Sequence, residues 1–186
     1  MYLPTPSQTI GPFFSFALPG LQGNELVPPG TDGALRIEGR VLDGEGNPVV
    51  DAMIEIWQAH RSGRYAHPED RRDLPLDEDF TGFGRCGTDG AGRFWFLTVK
   101  PGRVPGPAGA LQAPHVNVSV FARGLLQRAV TRIYFPDEVE ANESDPVLRS
   151  IADPIARSTL VARAENGLLR FDIHLQGERE TAFFDI

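Results

Sequence analysis

The stretch Gln112-Ala-Pro-His-Val-Asn-Val-Ser-Val-Phe-Ala-Arg-Gly124 alternates between polar and apolar residues. Because a period of two places successive side chains on opposite faces, the pattern predicts a β-strand over His115–Ala122. One face would carry His115, Asn117 and Ser119, and the other face three valines. A His-x-His pair on one face would bring two imidazoles to one metal ion, but asparagine is a poor ligand for transition metals. The strand therefore predicts one half of a metal-binding pair.

Composition limits the class of protein. The chain has 186 residues, a formal net charge of -7 and one cysteine, Cys86. This length suits one domain, and no run approaches the ~20 apolar residues of a membrane-spanning helix. A negative net charge argues against a nucleic-acid partner, because phosphates need a basic face. One cysteine excludes an internal disulfide and the first residues lack a signal-peptide pattern, so we expect a cytoplasmic protein with no membrane partner.

Turn signals divide the chain into short segments. Residues 1–34 are rich in proline and glycine and predict an extended N-terminal arm, whereas residues 35–186 alternate like strands. The predicted strands are Leu35–Leu42, Val49–Trp57, Phe94–Val99, His115–Ala122, Ala129–Phe135, Thr159–Ala164 and Leu168–Leu175. Asn166-Gly167 predicts a tight hairpin, and Asp145-Pro146 predicts the start of one short helix. The expected fold is all-β: one domain, a β-sandwich of mixed or antiparallel sheets with long loops and the arm.

Individual residues leave the function undecided. His60 and His67 flank a loop and are typical of solvated surface histidines, with a metal role as the alternative. His174 alternates within a predicted strand and is most simply a sheet-face residue. The sequence has no Ser-His-Asp order, Cys-His pair, phosphate-binding loop or dinucleotide fingerprint.

Longer segments resemble a known family. The run from Ile37 to Tyr65, which contains Asp-Gly-Glu-Gly-Asn-Pro and Glu-Ile-Trp-Gln-Ala-His, is similar to the signature of the intradiol ring-cleavage dioxygenases. The resemblance continues through Gly82–Cys86, Thr98–Gly102, Ala113–His115, Arg170–Gly177 and Glu180–Asp185. It covers nearly the whole chain. It implies a β-sandwich related to non-haem iron(III) enzymes, which split catechols between the two hydroxyl-bearing carbons.

The resemblance also implies a metal site that has lost ligands. Members of the family hold iron(III) with two tyrosinates and two histidines, hard anionic and imidazole donors that suit a highly charged ion. Tyr65 matches the first tyrosine and His115 the first histidine. Val104 stands in place of the second tyrosine, and Asn117 in place of the second histidine. We therefore expect no iron and no catalytic residue in this chain.

Within the family, the losses resemble the iron-free α subunits of two-subunit members. Their partner is a related, iron(III)-bearing β subunit, and the pair cleaves 3,4-dihydroxybenzoate with O2 to 3-carboxy-cis,cis-muconate in the β-ketoadipate pathway. The segments Thr5–Pro12 and Phe121–Gly124 resemble the α subunits in particular. The resemblance implies that Thr9, Gly11, Pro12 and Arg123 bind substrate in the partner's pocket. The alternatives are a surface ion pair for Arg123 and a turn at Gly11-Pro12.

Two other functions stay open. The chain could be an independent catechol-type intradiol dioxygenase with altered iron ligands that draws in His60 or His67. It could also be a non-catalytic β-sandwich scaffold.

Overall fold

The computed structural model describes residues 5–11, 13–18, 23–106 and 109–185. Pro12, one of the four residues matched to substrate binding, lies outside these ranges. The strands in the described ranges are β1 (Ala34–Leu42), β2 (Met53–Gln58), β3 (Phe83–Gly87), β4 (Arg93–Val99), β5 (Val104–Pro105), β6 (Leu111–Gln112), β7 (His115–Phe121), β8 (Ala129–Tyr134), β9 (Arg163–Glu165), β10 (Leu168–Arg170) and β11 (Ile173–His174). The helices there are α1 (Phe14–Ala17), α2 (Val139–Ser144), α3 (Pro146–Ser150) and α4 (Pro154–Ser158).

Two sheets form the sandwich. In the first, β1 pairs in parallel with β10 and β11 and antiparallel with β4, and β9 extends the sheet beyond β10. The second is antiparallel in the order β3-β2-β7-β8. A short pair, β5 and β6, lies outside both sheets. The predicted β-sandwich of mixed and antiparallel sheets is thus confirmed.

The core lies between the sheets, and β7 shows how the sequence selects its two faces. Val116, Val118 and Val120 are buried, whereas Asn117 and Ser119 between them are half-buried. β-branched side chains pack well on a pleated surface. The valines contact buried residues from both sheets, among them Ile37, Ile54, Ile56, Phe94, Phe96 and Ile133. The polar side chains of β7 are therefore on the outer face of the second sheet.

The predicted arm contributes to this core through its last residues. Leu26 is fully buried in the main cluster, and its amide donates to the carbonyl oxygen of Leu97 at 2.8 Å. Glu25 forms a parallel bridge with Leu97 on β4. The division at residue 34 stays a prediction, but these contacts join residues 25 and 26 to the sandwich.

The predicted strand Thr159–Ala164 is wrong except at its end. The Asp153 carboxylate accepts from the Ile155 amide at 2.8 Å and caps α4. The chain then turns before β9 begins at Arg163. Asp153-Pro154 repeats the Asp-Pro signal that predicts α3, so the sequence contained the information for this helix too. The expectation of a single helix is also wrong, because α1, α2 and α4 accompany α3 in the described residues.

The predicted strand Leu168–Leu175 is divided into β10 and β11. Between them the Phe171 carbonyl passes so close to Gly39 that an added Cβ would lie 1.7 Å from its oxygen. Glycine at this point of β1 allows the close approach. The Asn166-Gly167 hairpin is confirmed, with positive φ angles of 50° and 82° at its two residues.

Four other predicted strands are confirmed to within a residue at either end: those observed as β1, β4, β7 and β8. The predicted strand Val49–Trp57 begins later, at Met53. The described residues contain no helix that is both long and apolar enough to cross a bilayer.

Asp145 begins α3 and is fully buried. Its Oδ1 accepts from the amides of Val147 and Leu148 at 2.8 and 2.9 Å, and from the hydroxyl of Tyr134 at 3.2 Å. Its Oδ2 accepts from the Ala113 amide at 2.7 Å. One carboxylate thus ties α3 to β8 and to the start of β7.

We predict that Asp145→Ala lowers the free energy of unfolding by at least about 3 kcal/mol, because it leaves several buried donors without acceptors. The matched control is Asp153→Ala, which removes an exposed cap and should cost about 1 kcal/mol. Urea denaturation of both variants measures the difference. Equal losses would mean that the burial of Asp145 adds nothing to its capping role.

Candidate functional site

The four positions matched to metal ligands meet on the outer face of the second sheet. His115 begins β7 and Asn117 follows two residues later, so both side chains leave the same face. Val104 begins β5. Tyr65 lies in the loop after β2, and its ring stacks on Trp57 at a centroid distance of 5.7 Å and an interplanar angle of 8°. Because Trp57 pairs with Asn117 across the β2–β7 ladder, this stack places Tyr65 over the same face.

Tyr65 is held as a neutral phenol. Burial raises the pKa of its hydroxyl group, while the positive charges of Arg132 and Arg72 oppose that shift in part. Its backbone amide donates to Asp70 Oδ2 at 2.8 Å. Metal ligation by tyrosine requires the phenolate, which a nearby ion of high charge would have to generate.

His115 is neutral, and its tautomer follows from its partner. Nδ1 lies 2.8 Å from the carbonyl oxygen of Ala113. Since a carbonyl oxygen only accepts, Nδ1 carries the proton and Nε2 is left as an acceptor. Burial lowers the pKa of His115 to about 4, with the positive charge of Arg132 as the second cause.

The other two positions do not complete a metal site. Val104 is buried and has no donor atom. Asn117 Nδ2 donates to the carbonyl oxygen of Trp57 at 3.3 Å, so its side-chain amide hydrogen-bonds to the neighbouring strand β2. Across the described ranges, no group of three or more His, Cys, Asp or Glu side chains is arranged to hold a metal ion. One neutral imidazole and one half-buried phenol do not fit iron(III).

A cleft of about 880 Å³ opens beside these residues and is lined mainly by Trp57, Tyr65, His67, Arg72, Val104 and Pro105. His67 is exposed, and its ring meets Trp57 edge-on at 6.2 Å. His60 is buried against Phe80, with Nε2 3.0 Å from Asp77 Oδ2. Of the two alternative histidine ligands, only His67 therefore lines the cleft.

Sequence reasoning missed Arg132 at this site. It lies directly opposite Asn117 in the β7–β8 ladder, and directly opposed residues of an antiparallel pair share a face. Its Nη1 donates to Gln112 Oε1 at 2.7 Å and to the Tyr134 hydroxyl at 3.3 Å. The alternation of β8 predicts which face Arg132 takes, but the register with β7 was needed to place it beside Asn117.

The residues matched to substrate binding lie at the other end of β7. The Gly124 amide donates to Thr9 Oγ1 at 2.8 Å, which fastens the arm to the loop after β7. The Phe14 ring packs on Phe121 at 5.8 Å. Gly11 is exposed, and a Cβ added there would meet no heavy atom within 4 Å. The structure thus brings the loop with Arg123 next to the arm, while Pro12 lies outside the described residues.

Arg123 itself is 73% exposed, and its Nε forms an ion pair with Asp51 Oδ2. The fork of its guanidinium suits a carboxylate, whether that of Asp51 or of a ligand. His115 and Phe121, the two ends of β7, are about 20 Å apart at the usual rise of a strand. Arg123 and Thr9 are therefore remote from the cleft beside Tyr65.

Comparisons with known proteins identify related chains. A family model described as "Dioxygenase" matches residues 11–177. The chain is 44% identical over 199 residues to the protocatechuate 3,4-dioxygenase alpha chain of Burkholderia cepacia, covering 98% of this chain and 97% of that one. It is 41% identical over 198 residues to the alpha chain of Pseudomonas putida, covering 97% and 96%. The beta chain of Burkholderia cepacia is 41% identical over 139 residues, covering 74% of this chain and 55% of the relative.

A solved structure gives the same result for the fold. The dioxygenase domain of a dioxygenase carbohydrate-binding protein fusion from Streptomyces sp. SirexAA-E superposes with a TM-score of 0.56 at 28% identity. The match covers 94% of this chain and 99% of that domain. With the full-length relatives and the family model, it leads to one conclusion: this chain belongs to the intradiol ring-cleavage dioxygenase family.

Proposed function

We propose that this chain is the α subunit of a protocatechuate 3,4-dioxygenase. In this role it holds no iron itself and completes the substrate pocket of an iron(III)-bearing β subunit. The assembled enzyme cleaves 3,4-dihydroxybenzoate with O2 to 3-carboxy-cis,cis-muconate. One observation carries the proposal: a chain that matches alpha chains over nearly its full length has only Tyr65 and His115 left at the four ligand positions.

The remaining donors support an iron-free role. His115 is fixed by Ala113 as the Nδ1–H tautomer, and Tyr65 is stabilised as a phenol by burial. Both side chains pack and hydrogen-bond within the fold without an ion. The iron belongs to the partner, and no step of the reaction is assigned to this cleft.

We assign substrate binding to the loop that contains Arg123. Its guanidinium is mostly exposed and could bind the ring carboxylate of 3,4-dihydroxybenzoate, directly or through water. The net charge of -7 gives no long-range attraction for an anion, so a local cation is needed.

The arm would complete the same surface. Thr9 Oγ1 accepts a hydrogen bond from the Gly124 amide, which joins the arm to the Arg123 loop. Gly11, exposed and open where a Cβ would stand, would allow the arm backbone to approach the ligand closely. Pro12 follows Gly11 in the sequence, and its assignment to substrate binding rests on the sequence match alone. This surface is about 20 Å from the chain's own cleft by the length of β7, so its ligand would lie in a pocket shared with the partner.

A scaffold function is the second candidate, because the Arg123–Asp51 ion pair already gives Arg123 a partner within the fold. The independent dioxygenase has less support, since His67 is the single alternative histidine that lines the cleft. We also propose a cytoplasmic location, on the ground that the chain has one cysteine.

We predict that the purified chain is colourless and iron-free, and that a complex with a β subunit contains iron and shows the visible charge-transfer band of tyrosinate bound to iron(III). Iron analysis and absorption spectra of the lone chain, the lone partner and the complex provide the measurement. An iron-loaded, coloured lone chain would refute the proposal and favour the independent enzyme.

We predict that Arg123→Ala raises the KM of the assembled enzyme for 3,4-dihydroxybenzoate by about 10- to 100-fold, the value of a charge-assisted hydrogen bond. Arg123→Lys should recover part of this loss, because it keeps the charge without the fork. Asp51→Asn is the matched control: it breaks the ion pair but leaves Arg123 for the substrate, so KM should stay near wild type. If both Arg123→Ala and Asp51→Asn only weaken folding and leave KM unchanged, the scaffold reading is correct.

We predict that His115 makes the fold sensitive to acid. Its pKa is lowered to about 4 in the folded chain, against about 6.5 when unfolded. The unfolded state therefore binds the extra proton first, and stability is lost as the pH falls from about 6.5 to about 4, by on the order of 3 kcal/mol. Urea denaturation of wild type and His115→Asn between pH 7 and pH 4 should show a loss that is larger in wild type by this amount, because the other titrating groups are shared by both proteins. Parallel curves would mean that His115 is charged, or solvated, in the folded state.

A further inference from the structure

Arg132 occupies a distinctive place among the residues of the lost metal site. It faces Asn117 directly across the β7–β8 ladder, and Tyr134 faces His115 two pairs further along. Because paired residues share a face, the guanidinium lies on the side of the sheet from which His115 and Asn117 project. It is close enough to lower the pKa of both Tyr65 and His115 through its charge.

Hydrogen bonds hold the guanidinium there. Nη1 donates to Gln112 Oε1 at 2.7 Å, and Gln112 pairs with Val104 across the β5–β6 ladder. The same nitrogen donates to the Tyr134 hydroxyl at 3.3 Å, and that hydroxyl donates to Asp145 at 3.2 Å. The ring of Phe184 lies 5.8 Å from the guanidinium carbon. The guanidinium is thus anchored to β6 and β8, which pair with the strands that carry Val104 and His115.

Arg132 has no direct ion-pair partner among the described residues. Its link to the Asp145 carboxylate runs through the neutral hydroxyl of Tyr134. Half-buried charges are screened less by solvent and salt than exposed ones. The guanidinium of Arg132 would therefore strongly repel a metal cation bound by His115 Nε2.

We propose that Arg132 is a resident cation of the lost metal site and excludes iron from it independently of the missing ligands. The guanidinium supplies, without a metal, the positive charge around which Tyr65 and His115 are arranged. Restoring a tyrosine at position 104 and a histidine at position 117 is then not enough to restore iron binding. The charge of Arg132 must be removed as well.

This inference rests on the proposal that the wild-type chain holds no iron, and the two fail in different ways. Iron in the wild-type chain would refute the proposed function. Iron in a chain with restored ligands and an intact Arg132 would refute the present inference alone.

The test compares four variants of the full chain: Val104→Tyr with Asn117→His, and the same pair combined with Arg132→Gln, Arg132→Met or Arg132→Lys. Val104 lines the cleft of about 880 Å³, which leaves room for a tyrosine ring. Glutamine keeps an amide donor toward Gln112, and methionine is a second neutral residue of similar length. Lysine is the matched control, because it keeps the charge and loses the fork.

Each variant is loaded with iron(II), oxidised in air and desalted, and iron content and the tyrosinate charge-transfer band are measured without any assay of activity. The two neutral variants should bind iron(III) at least ~100-fold more tightly than the variants with Arg or Lys at position 132. Circular dichroism and urea denaturation establish that each variant is folded.

Three results would overturn the inference. Iron loading of the Arg132 parent equal to that of the neutral variants would show that the guanidinium is no barrier. Loading of the lysine variant equal to that of the glutamine variant would show that charge is not the cause. Folded neutral variants without iron, or the failure of both to fold, would mean that Arg132 acts only as a structural link between strands.

Discussion

The hydrogen-bonded ladder along β7 is the constraint on which both the fold and the candidate sites depend. β7 pairs with β2 on one side and with β8 on the other. Hydrogen bonds to both neighbouring strands therefore fix its register. A shift of one residue would expose Val116, Val118 and Val120 and bury Asn117 and Ser119. Burial of the three valines against the first sheet therefore determines which side chains reach the outer face.

A network of polar groups stabilises that outer face without a metal. The Asp145 carboxylate accepts from the Ala113 amide and the Tyr134 hydroxyl, and Ala113 in turn accepts from His115 Nδ1. Arg132 connects Tyr134 to Gln112. Fully satisfied buried networks hold a fixed arrangement because a partner lost in a low dielectric is costly. The fold thus keeps in place the four positions matched to metal ligands, although only Tyr65 and His115 match the ligand residue types.

The two ends of β7 have diverged in what they can do. The end with His115 has a buried, neutral imidazole and the guanidinium of Arg132 nearby, so it is suited to stability more than to chemistry. The end with Phe121 carries the arm contact through Thr9 and the exposed guanidinium of Arg123. Exposed loop residues on a rigid scaffold are well placed to bind a ligand or a second subunit. This division is consistent with a subunit that contributes side chains to a pocket beyond its own boundary.

The sequence alone determined the class of fold, the β7 alternation, the Asn166-Gly167 hairpin and the α3 cap, because each depends on residues that are neighbours in the chain. It also determined the family, and it predicts the loss of metal donors at Val104 and Asn117, since both follow from residue types at matched positions. Tertiary structure decided the rest. The close approach at Gly39 divided an expected strand, and the long-range register of β7 with β8 brought Arg132 opposite Asn117. Contacts between residues far apart in sequence depend on loop paths and packing, and no local pattern records them.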